Sequence, residues 1–519
     1  MNHFFLAGKD RVTAVTESGT IRGYQYDGIS IFKGIPYAKA RRFHKPEKAE
    51  PWDGVLDCTS YGYVCPLLEE PSRDNELLVP HRYWAEDENC QNLNIWTPKT
   101  DKGKRPVIVW IHGGGFETGS SMEQLAYEGE NMCRLGQAVV VSVNHRLNVL
   151  GYCDLSDFGK EYENSGNAGT EDLIAALRWI RDNIENFGGD PDNVTLVGQS
   201  GGGCKITALL QTPAADGLFH KAMIMSGISY VISDAKGNGK ALVTEIMEKL
   251  GIADIKDLET VPYHMLAQAY LSARAHLEKE GEYVGGAPHP NAFYRGDPLE
   301  NGFRRETAGI PMIIGSAFGE LSSFRETDYD KNKMTEEEQV ARVERETGPE
   351  AAGKLIPLFR KAYPGRNVID ILQMDFIFRE ATKDYIEERS GMNNSTYSYM
   401  FDYESPYAGG TVPWHCADIP FVFHNTKMVP AVQLSGVSER IENEMFCSLI
   451  GFARHGSPDN PFIPHWPASS PEKEYVMVFE NDNTQVRCNY DHELFPEFIS
   501  VMKPLEEQKL LGYVGLAEE

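Results

Sequence analysis

The feature that most constrains the fold is a Gly-Gln-Ser-Gly-Gly run at residues 198–202, with Ser200 at its centre. Five residues of apolar and β-branched character, 193–197, lead directly into it, and residues compatible with a helix follow. A Gly-x-Ser-x-Gly run between a strand and a helix is typical of a sharp turn that raises the serine hydroxyl to the carboxyl edge of a sheet. The glycines relieve crowding around the strained serine backbone. The run therefore predicts an α/β architecture in which Ser200 is a nucleophile.

Short apolar runs that end in glycine-rich turns recur through the first half of the chain. Residues 107–111 lead into His-Gly-Gly-Gly at 112–115, and residues 138–143 form a similar run. Such runs are typical of strands buried on both faces. From Thr170 the apolar residues follow helical spacing, and residues 221–225 again resemble a strand. The helical positions are Leu173, Leu177, Ile180 and Ile184. This alternation predicts a doubly wound, mostly parallel sheet.

Two stretches, at about 234–301 and 327–390, are polar and helical in pattern. Neither contains the candidate catalytic residues, so we interpret both as helical insertions around the active-site entrance. No repeat with a period of roughly 20 to 50 residues stands out. The chain of 519 residues is longer than a usual domain of about 150 residues, but α/β enzymes often form one longer unit. We therefore expect a single α/β domain over residues 1–519.

The charge balance bears on the partners of the chain. Lys and Arg number 50 against 76 Asp and Glu, a formal net charge of −26, so the surface repels phosphate backbones. We expect a small-molecule partner and no nucleic acid. No apolar run reaches the roughly 18 to 20 residues that span a bilayer, and the apolar run near the start is too short for a signal-peptide core. These observations predict a cytoplasmic protein and leave open the secretion of a chain whose leader has been trimmed. They also leave a monomer or a small homo-oligomer open.

Cysteine and glycine motifs give no sign of a bound cofactor. The nine cysteines include no Cys-x-x-Cys pair, so they indicate neither a zinc site nor a disulfide framework. The chain has no His-Glu-x-x-His run, and the residues around Gly239 and Lys240 lack the other positions of a phosphate-binding loop. We expect no metal and no organic cofactor.

A serine that transfers acyl groups needs a base and preorganised donors for the negative charge that develops. The turn at 112–115 matches the glycine pattern whose backbone N–H groups form an oxyanion hole in lipases and esterases. Taken alone, it would be interpreted as a plain glycine turn after a strand. Beside the Ser200 turn, it predicts that Gly114, Gly115 and Gly201 are the oxyanion donors of a serine ester hydrolase.

Further segments are similar to one family over nearly the whole chain. They are residues 32–38 (Phe-Lys-Gly-Ile-Pro-Tyr-Ala), 88–95, 143–147 and 179–200. The sequence resembles the type-B carboxylesterase and cholinesterase family of the α/β-hydrolase fold, including its para-nitrobenzyl-esterase-like members. The resemblance implies hydrolysis of carboxylic esters through a Ser-His-Glu triad and an acyl-enzyme intermediate.

The resemblance also implies the other two triad members. In that family the acid is a Glu that follows a later apolar run and a glycine, and residues 310–314 place Glu320 at the matching position. The base matches His415, in a stretch similar to the family's His-x-x-Glu-Leu-Pro-Tyr-Val-Phe. The order nucleophile, acid, histidine is the one expected of this fold. Asp418 is a rival acid, but it matches a family position outside the triad.

The chain departs from the family pattern at several places. Gln199 stands where Glu is frequent, which lowers the negative potential of the pocket and favours neutral esters over choline esters. Leu321 replaces the glycine that usually follows the acid, so we expect a loop of different shape. Residues 37–43 are shorter than the family's proline-rich segment at the pocket entrance. Cys65 and Cys90 match a disulfide of secreted relatives, and we expect them to be neighbours while their oxidation state stays open.

Two other functions remain open at this point. A peptidase or amidase on the same fold would share the triad, and the sequence does not separate it from an esterase. A non-catalytic, cholinesterase-like binding protein is the other, although such proteins typically lose the serine or its partners. Retention of Ser200, Glu320 and His415 disfavours it.

Overall fold

The computed structural model describes residues 4–8, 11–69, 76–230, 239–280, 286–324 and 327–513. The strands of this part of the chain, numbered β1 to β17, are Phe5–Leu6, Thr13–Thr16, Gly19–Arg22, Tyr24–Tyr26, Ile29–Pro36, Ala38–Lys39, Glu47–Lys48, Val55–Asp57, Asn92–Thr97, Arg105–Ile111, Val139–Val143, Gly189–Gln199, Lys221–Met225, Met312–Ala317, Thr396–Phe401, Tyr475–Phe479 and Gln485–Cys488. The helices, α1 to α13, are Glu130–Gly136, Asn148–Tyr152, Ala168–Asn183, Gly201–Leu210, Gly239–Leu250, Tyr263–Lys279, Pro298–Asn301, Glu336–Thr347, Pro349–Ala362, Arg379–Ser390, Ile419–Phe423, Val437–His455 and Leu494–Tyr513.

Twelve of the described strands form one sheet, in the order β1-β4-β5-β9-β11-β10-β12-β13-β14-β15-β16-β17. The run from β11 to β16 in this order is parallel throughout. Antiparallel strands flank it on both sides. Helices connect the parallel strands, as chain geometry requires. The predicted doubly wound, mostly parallel sheet is confirmed.

Apolar side chains alternate between the two faces of the sheet. In β10, Val107, Val109 and Ile111 belong to one buried cluster, and Ile108 and Trp110 belong to another. Successive side chains of a strand point to opposite faces, which explains the period of two. Residues of α3 and α4 join the first cluster, and residues of α11 and α12 join the second. The central strands are thus covered on both faces, as their apolar runs predicted.

The strand prediction for 221–225 matches β13, and the helix predicted from Thr170 is α3. This helix ends one residue before Ile184, which was predicted to continue it. Ile184 instead begins a 3-10 turn, and Gly188 follows the turn with a φ of 77°. Tighter hydrogen bonds at a helix end and a left-handed glycine are a common way to stop a helix. Here they turn the chain directly into β12, which leads to Ser200.

Helices α5, α6 and α7 lie between β13 and β14, and α8, α9 and α10 lie between β14 and β15. They fall within the two stretches predicted as insertions. Arg42, in the short segment 37–43, is buried and donates to the carbonyl oxygens of Leu258 at 2.8 Å and Val261 at 2.7 Å. The N-terminal region therefore fixes the first of these stretches. None of the helices in the described ranges is long and apolar enough to cross a membrane.

Cys65 and Cys90 are buried free thiols. Burial raises the pKa of the Cys90 thiol, and a hydrogen bond with Cys65 raises it further. The two side chains are therefore in contact, in agreement with the expectation that they are neighbours.

Candidate active site

The carboxyl ends of several parallel strands meet at one edge of the sheet. His112 follows β10, Ser200 follows β12 and Ser226 follows β13. Glu320 comes after β14, and His415 lies beyond β15. The fold therefore gathers side chains that are far apart in the sequence, including all three predicted members of the triad.

The backbone of Ser200 adopts a conformation that residues other than glycine rarely take, with φ of 55° and ψ of −128°. Its N–H donates to the Met225 carbonyl oxygen at 2.8 Å, which ties the turn to β13. A Cβ at Gly198 would lie 2.5 Å from the Gly202 carbonyl carbon, and a Cβ at Gly202 would lie 2.0 Å from the Ile111 carbonyl oxygen. Only glycine fits at these two positions.

Glu320 and His415 form a buried pair. His415 Nδ1 lies 2.6 Å from Glu320 Oε2, and Glu320 is fully buried. The second oxygen, Oε1, accepts hydrogen bonds from Ser226 Oγ at 2.5 Å and from the Ala317 N–H at 2.7 Å. Burial lowers the pKa of His415, but the charge of Glu320 and its hydrogen bond outweigh this effect and raise the pKa above its ordinary value. The carboxylate is held at both oxygens and stabilises the imidazolium form.

An aromatic ring supports the imidazole. Phe378 stacks on His415, with ring centroids 5.1 Å apart and ring planes 10° apart. The buried Asp375 fixes this segment, because its carboxylate accepts the backbone N–H groups of Phe378 at 3.0 Å and Arg379 at 2.6 Å. Sequence reasoning missed Asp375 and Phe378, since neither belongs to a motif and both act through contacts between distant segments.

Gln199 contacts both ring nitrogens of His415. Its Nε2 lies 3.2 Å from His415 Nε2 and 3.3 Å from Nδ1, and its Oε1 accepts a hydrogen bond from Cys416 Sγ at 3.3 Å. Because Nδ1 donates to Glu320, Nε2 is the ring's free acceptor. Within the described ranges, no hydrogen bond joins Ser200 Oγ to this nitrogen. In this structure the Gln199 amide, rather than the serine hydroxyl, contacts His415 Nε2.

The glycine turn after β10 lies against the Ser200 turn. Gly114 and Gly115 have φ values of 80° and 60°, and a Cβ at Gly201 would lie 2.4 Å from the Gly115 nitrogen. Among the described residues, the N–H groups of these three glycines have no protein acceptor. Gly201 begins α4, where the first N–H groups of a helix lack partners within the helix. Three unpaired donors therefore lie together beside Ser200.

Asp418, the rival acid, makes its hydrogen bond elsewhere. Its Oδ2 accepts the Tyr399 hydroxyl at 2.8 Å. Burial raises the pKa of Asp418 to about 7. A carboxyl group that is partly protonated at neutral pH and turned toward Tyr399 is a weaker partner for an imidazolium than Glu320. The geometry favours Glu320 over Asp418 as the acid.

One cluster outside this site has the residue types of a metal centre. Glu474, Asp491 and His492 offer ligand atoms within 4.8 Å of one another. Arg379 Nη1 lies 2.7 Å from Glu474 Oε1, and its Nη2 lies 2.8 Å from Asp491 Oδ1. The buried guanidinium already pairs with both carboxylates, and His492 Nε2 lies 2.8 Å from Glu474 Oε2, so the ligand atoms are occupied and do not fit a metal ion. Because Arg379 directly follows Phe378, the cluster anchors the segment that packs on His415.

A parallel sheet with a strained serine between strand and helix, and a histidine and an acid on later loops, defines the chain as an α/β-hydrolase. The sequence profile described as the Carboxylesterase family matches residues 10–495, and the chain belongs to that family. The resemblance in its motifs is thereby confirmed.

Individual relatives agree with this assignment. The para-nitrobenzyl esterase of Bacillus subtilis (strain 168) is 32% identical over 481 residues, which cover 90% of this chain and 95% of the relative. The phenmedipham hydrolase of Pseudarthrobacter oxydans is 32% identical over 498 residues, covering 92% and 96%. A solved esterase from Clostridium hathewayi that can hydrolyse aliphatic aromatic polyesters is 45% identical, with a TM-score of 0.94 over 96% of this chain and 100% of that chain. The protein is a carboxylic ester hydrolase, as the sequence predicted.

Proposed function

We propose that Ser200, His415 and Glu320 form the catalytic triad of this ester hydrolase. The 2.6 Å contact between His415 Nδ1 and Glu320 Oε2, beside the strained Ser200 turn, carries the proposal. His415 Nε2 takes the proton of Ser200 Oγ as this oxygen attacks the ester carbonyl carbon. Glu320 orients the imidazole and stabilises the imidazolium that forms.

The same groups complete the cycle. The tetrahedral intermediate breaks its bond to the alcohol oxygen, and His415 gives the proton to the leaving alcohol. Water then attacks the acyl-enzyme as His415 takes its proton, and His415 returns this proton to Ser200 Oγ as the acyl–Oγ bond breaks and the carboxylic acid leaves. In both steps the N–H groups of Gly114, Gly115 and Gly201 stabilise the oxyanion, which is their proposed role.

Neutral esters are the proposed substrates, because the residue beside His415 is the uncharged Gln199. Three butyryl compounds of nearly equal shape test this choice: 3,3-dimethylbutyl butyrate, butyrylcholine and N-(3,3-dimethylbutyl)butanamide. We expect kcat/KM for the neutral ester to exceed that for the choline ester by at least about tenfold, or about 1.4 kcal/mol. We expect the amide to be slower than the ester by at least about a hundredfold, because its leaving group is poorer, or about 2.7 kcal/mol.

Equal or faster hydrolysis of butyrylcholine would contradict the neutral preference, and equal hydrolysis of the amide would favour the amidase alternative. Gln199→Glu is expected to reduce the difference in kcat/KM between 3,3-dimethylbutyl butyrate and butyrylcholine, because the introduced carboxylate attracts the quaternary ammonium. Gln199→Met is the matched control, since it removes the amide without adding charge and leaves the preference for the neutral ester in place.

Aliphatic aromatic polyesters are a second proposed substrate class. The similarity to the Clostridium hathewayi esterase, at 45% identity over 96% of this chain, supports it. Incubation with a film of such a polyester should release soluble aromatic diacid, measured by chromatography, and Ser200→Ala should release none above the buffer control. Hydrolysis of soluble aromatic diesters without any release from the film would restrict the class to small esters.

Three further features stay predictions from the sequence. They are a single domain with two helical insertions, a cytoplasmic location, and a monomer or small homo-oligomer. Limited proteolysis, cell fractionation and light scattering address them in turn.

A further inference from the structure

Lys205 is a buried lysine directly beneath the proposed oxyanion hole. It lies on α4, five residues after Ser200, and its relative exposure is 1%. Its Nζ donates to the carbonyl oxygens of His112 at 3.0 Å and Gly113 at 3.3 Å. These are the two residues between β10 and Gly114. In the part of the chain that the structure describes, no carboxylate forms an ion pair with this ammonium.

Burying an ammonium without an ion-pair partner is unfavourable, so a lysine here has a cost in stability. Burial lowers the pKa of Lys205 to about 7, although nearby charges, including that of Glu123, act in the opposite direction. His112 is buried beside it. Burial lowers the pKa of the His112 imidazole, and the charge of Lys205 lowers it further. His112 is therefore neutral, and Lys205, which is partly protonated near neutral pH, is the group that can carry positive charge under this turn.

Peptide geometry links these contacts to the oxyanion donors. In a trans peptide the carbonyl oxygen and the N–H of the next residue point in opposite directions. A Gly113 carbonyl held by Lys205 therefore turns the Gly114 N–H away from Lys205. His112 Nδ1 donates to the same Gly113 oxygen at 3.0 Å, so two donors fix this peptide plane. A Cβ at Gly113 would lie 3.3 Å from the Ser200 Cβ, which places the turn beside the nucleophile.

We infer that Lys205 is a positioning residue for the oxyanion hole. It fixes the two peptide planes between residues 112 and 114 and so preorganises the Gly114 N–H, and in its protonated form its charge lies behind the site where the oxyanion forms. The inference rests on the proposed roles of Ser200 and the glycine donors. Preorganised donors act in the transition state more than in substrate binding, so kcat should respond and KM should not.

Lys205→Met tests the inference, because it keeps length and removes both charge and donors. We expect kcat for a neutral butyrate ester to fall by about a hundredfold, near the lower end of the loss for one oxyanion-hole donor. We expect KM to change by less than about threefold. A trifluoromethyl ketone forms a tetrahedral oxyanion when Ser200 Oγ adds to its carbonyl carbon, and its inhibition constant should rise by the same factor as kcat/KM falls.

Ser200→Ala is measured in parallel to separate this inference from the proposed function. If Ser200→Ala keeps activity, the proposed triad is wrong and the inference fails with it. If Ser200→Ala is inactive but Lys205→Met keeps kcat and trifluoromethyl ketone affinity within about threefold of the parent, only the role of Lys205 is wrong. If Lys205 served stability alone, Lys205→Met would lower the unfolding midpoint and leave the inhibition constant of the trifluoromethyl ketone unchanged. Should Lys205→Met fail to fold, Lys205→Gln replaces it, with an expected kcat loss of at least about tenfold.

Discussion

Replacement of Ser200 by alanine is expected to lower kcat for a neutral butyrate ester by about 10⁶-fold, the scale seen when a triad nucleophile is removed. Alanine has no hydroxyl to form the acyl-enzyme, so the covalent route is lost. Substrate binding does not use Oγ, and KM should stay close to that of the parent. Stopped-flow and steady-state release of alcohol give both quantities.

Ser500→Ala is the matched control for this change, because Ser500 is an exposed serine on α13. It should retain full activity, and both variants should unfold at the same urea concentration as the parent. An Ser200→Ala protein that is pure, folded and still within about tenfold of the parent kcat would exclude Ser200 as the nucleophile.

Glu320→Gln is expected to lower kcat/KM by about 10⁴-fold and to move the acid limb of its pH profile to lower pH. Activity needs neutral His415, so kcat/KM falls as pH drops through the pKa of this residue. In the parent, Glu320 raises that pKa against the effect of burial. Glutamine removes the charge and leaves the lowering effect of burial. The acid limb of the kcat/KM profile therefore moves to lower pH in Glu320→Gln, although kcat/KM itself is small.

Asp418→Asn and Asp375→Asn are the controls for Glu320→Gln. Both carboxyl groups are buried near His415, and burial raises the pKa of each above its ordinary value. Neither makes the hydrogen bond to Nδ1, so each variant should keep kcat/KM within about tenfold of the parent. A larger loss in Asp418→Asn than in Glu320→Gln would assign the acid to Asp418.

The sequence predicted the elements whose signal is local. The apolar run before Gly198 predicts β12, and the glycines around Ser200 predict the turn, because the close approach of Gly202 to the Ile111 carbonyl oxygen allows no side chain. Glu320 and His415 could be placed only through family resemblance, since a single Glu or His in a loop carries no local signal. Their 2.6 Å contact depends on the pairing of β14 with β15.

Contacts between distant segments could not be predicted from the sequence. Phe378 packs on His415 from the segment just before α10, and Asp375 holds that segment, but no periodic pattern marks either residue. Leu321 was expected to change the loop after the acid, and in the structure a 3-10 turn begins at Glu320. Lys205 did leave a signal: it is the one charged residue in α4, a helix whose other positions are apolar, small or hydroxyl-bearing. A lysine in such a helix indicates a buried amine that needs hydrogen-bond acceptors, which are here the carbonyl oxygens of His112 and Gly113.

Covalent labelling with a fluorophosphonate tests the central claim most directly. The reagent bonds its phosphorus to an activated serine oxygen and releases fluoride, so intact mass and peptide sequencing report both the number and the position of labels. We predict one label per chain, on Ser200, with no label in Ser200→Ala and slow labelling in Glu320→Gln. A label on another residue of the parent protein, or undiminished labelling of Ser200→Ala, would contradict the proposed catalytic role of Ser200.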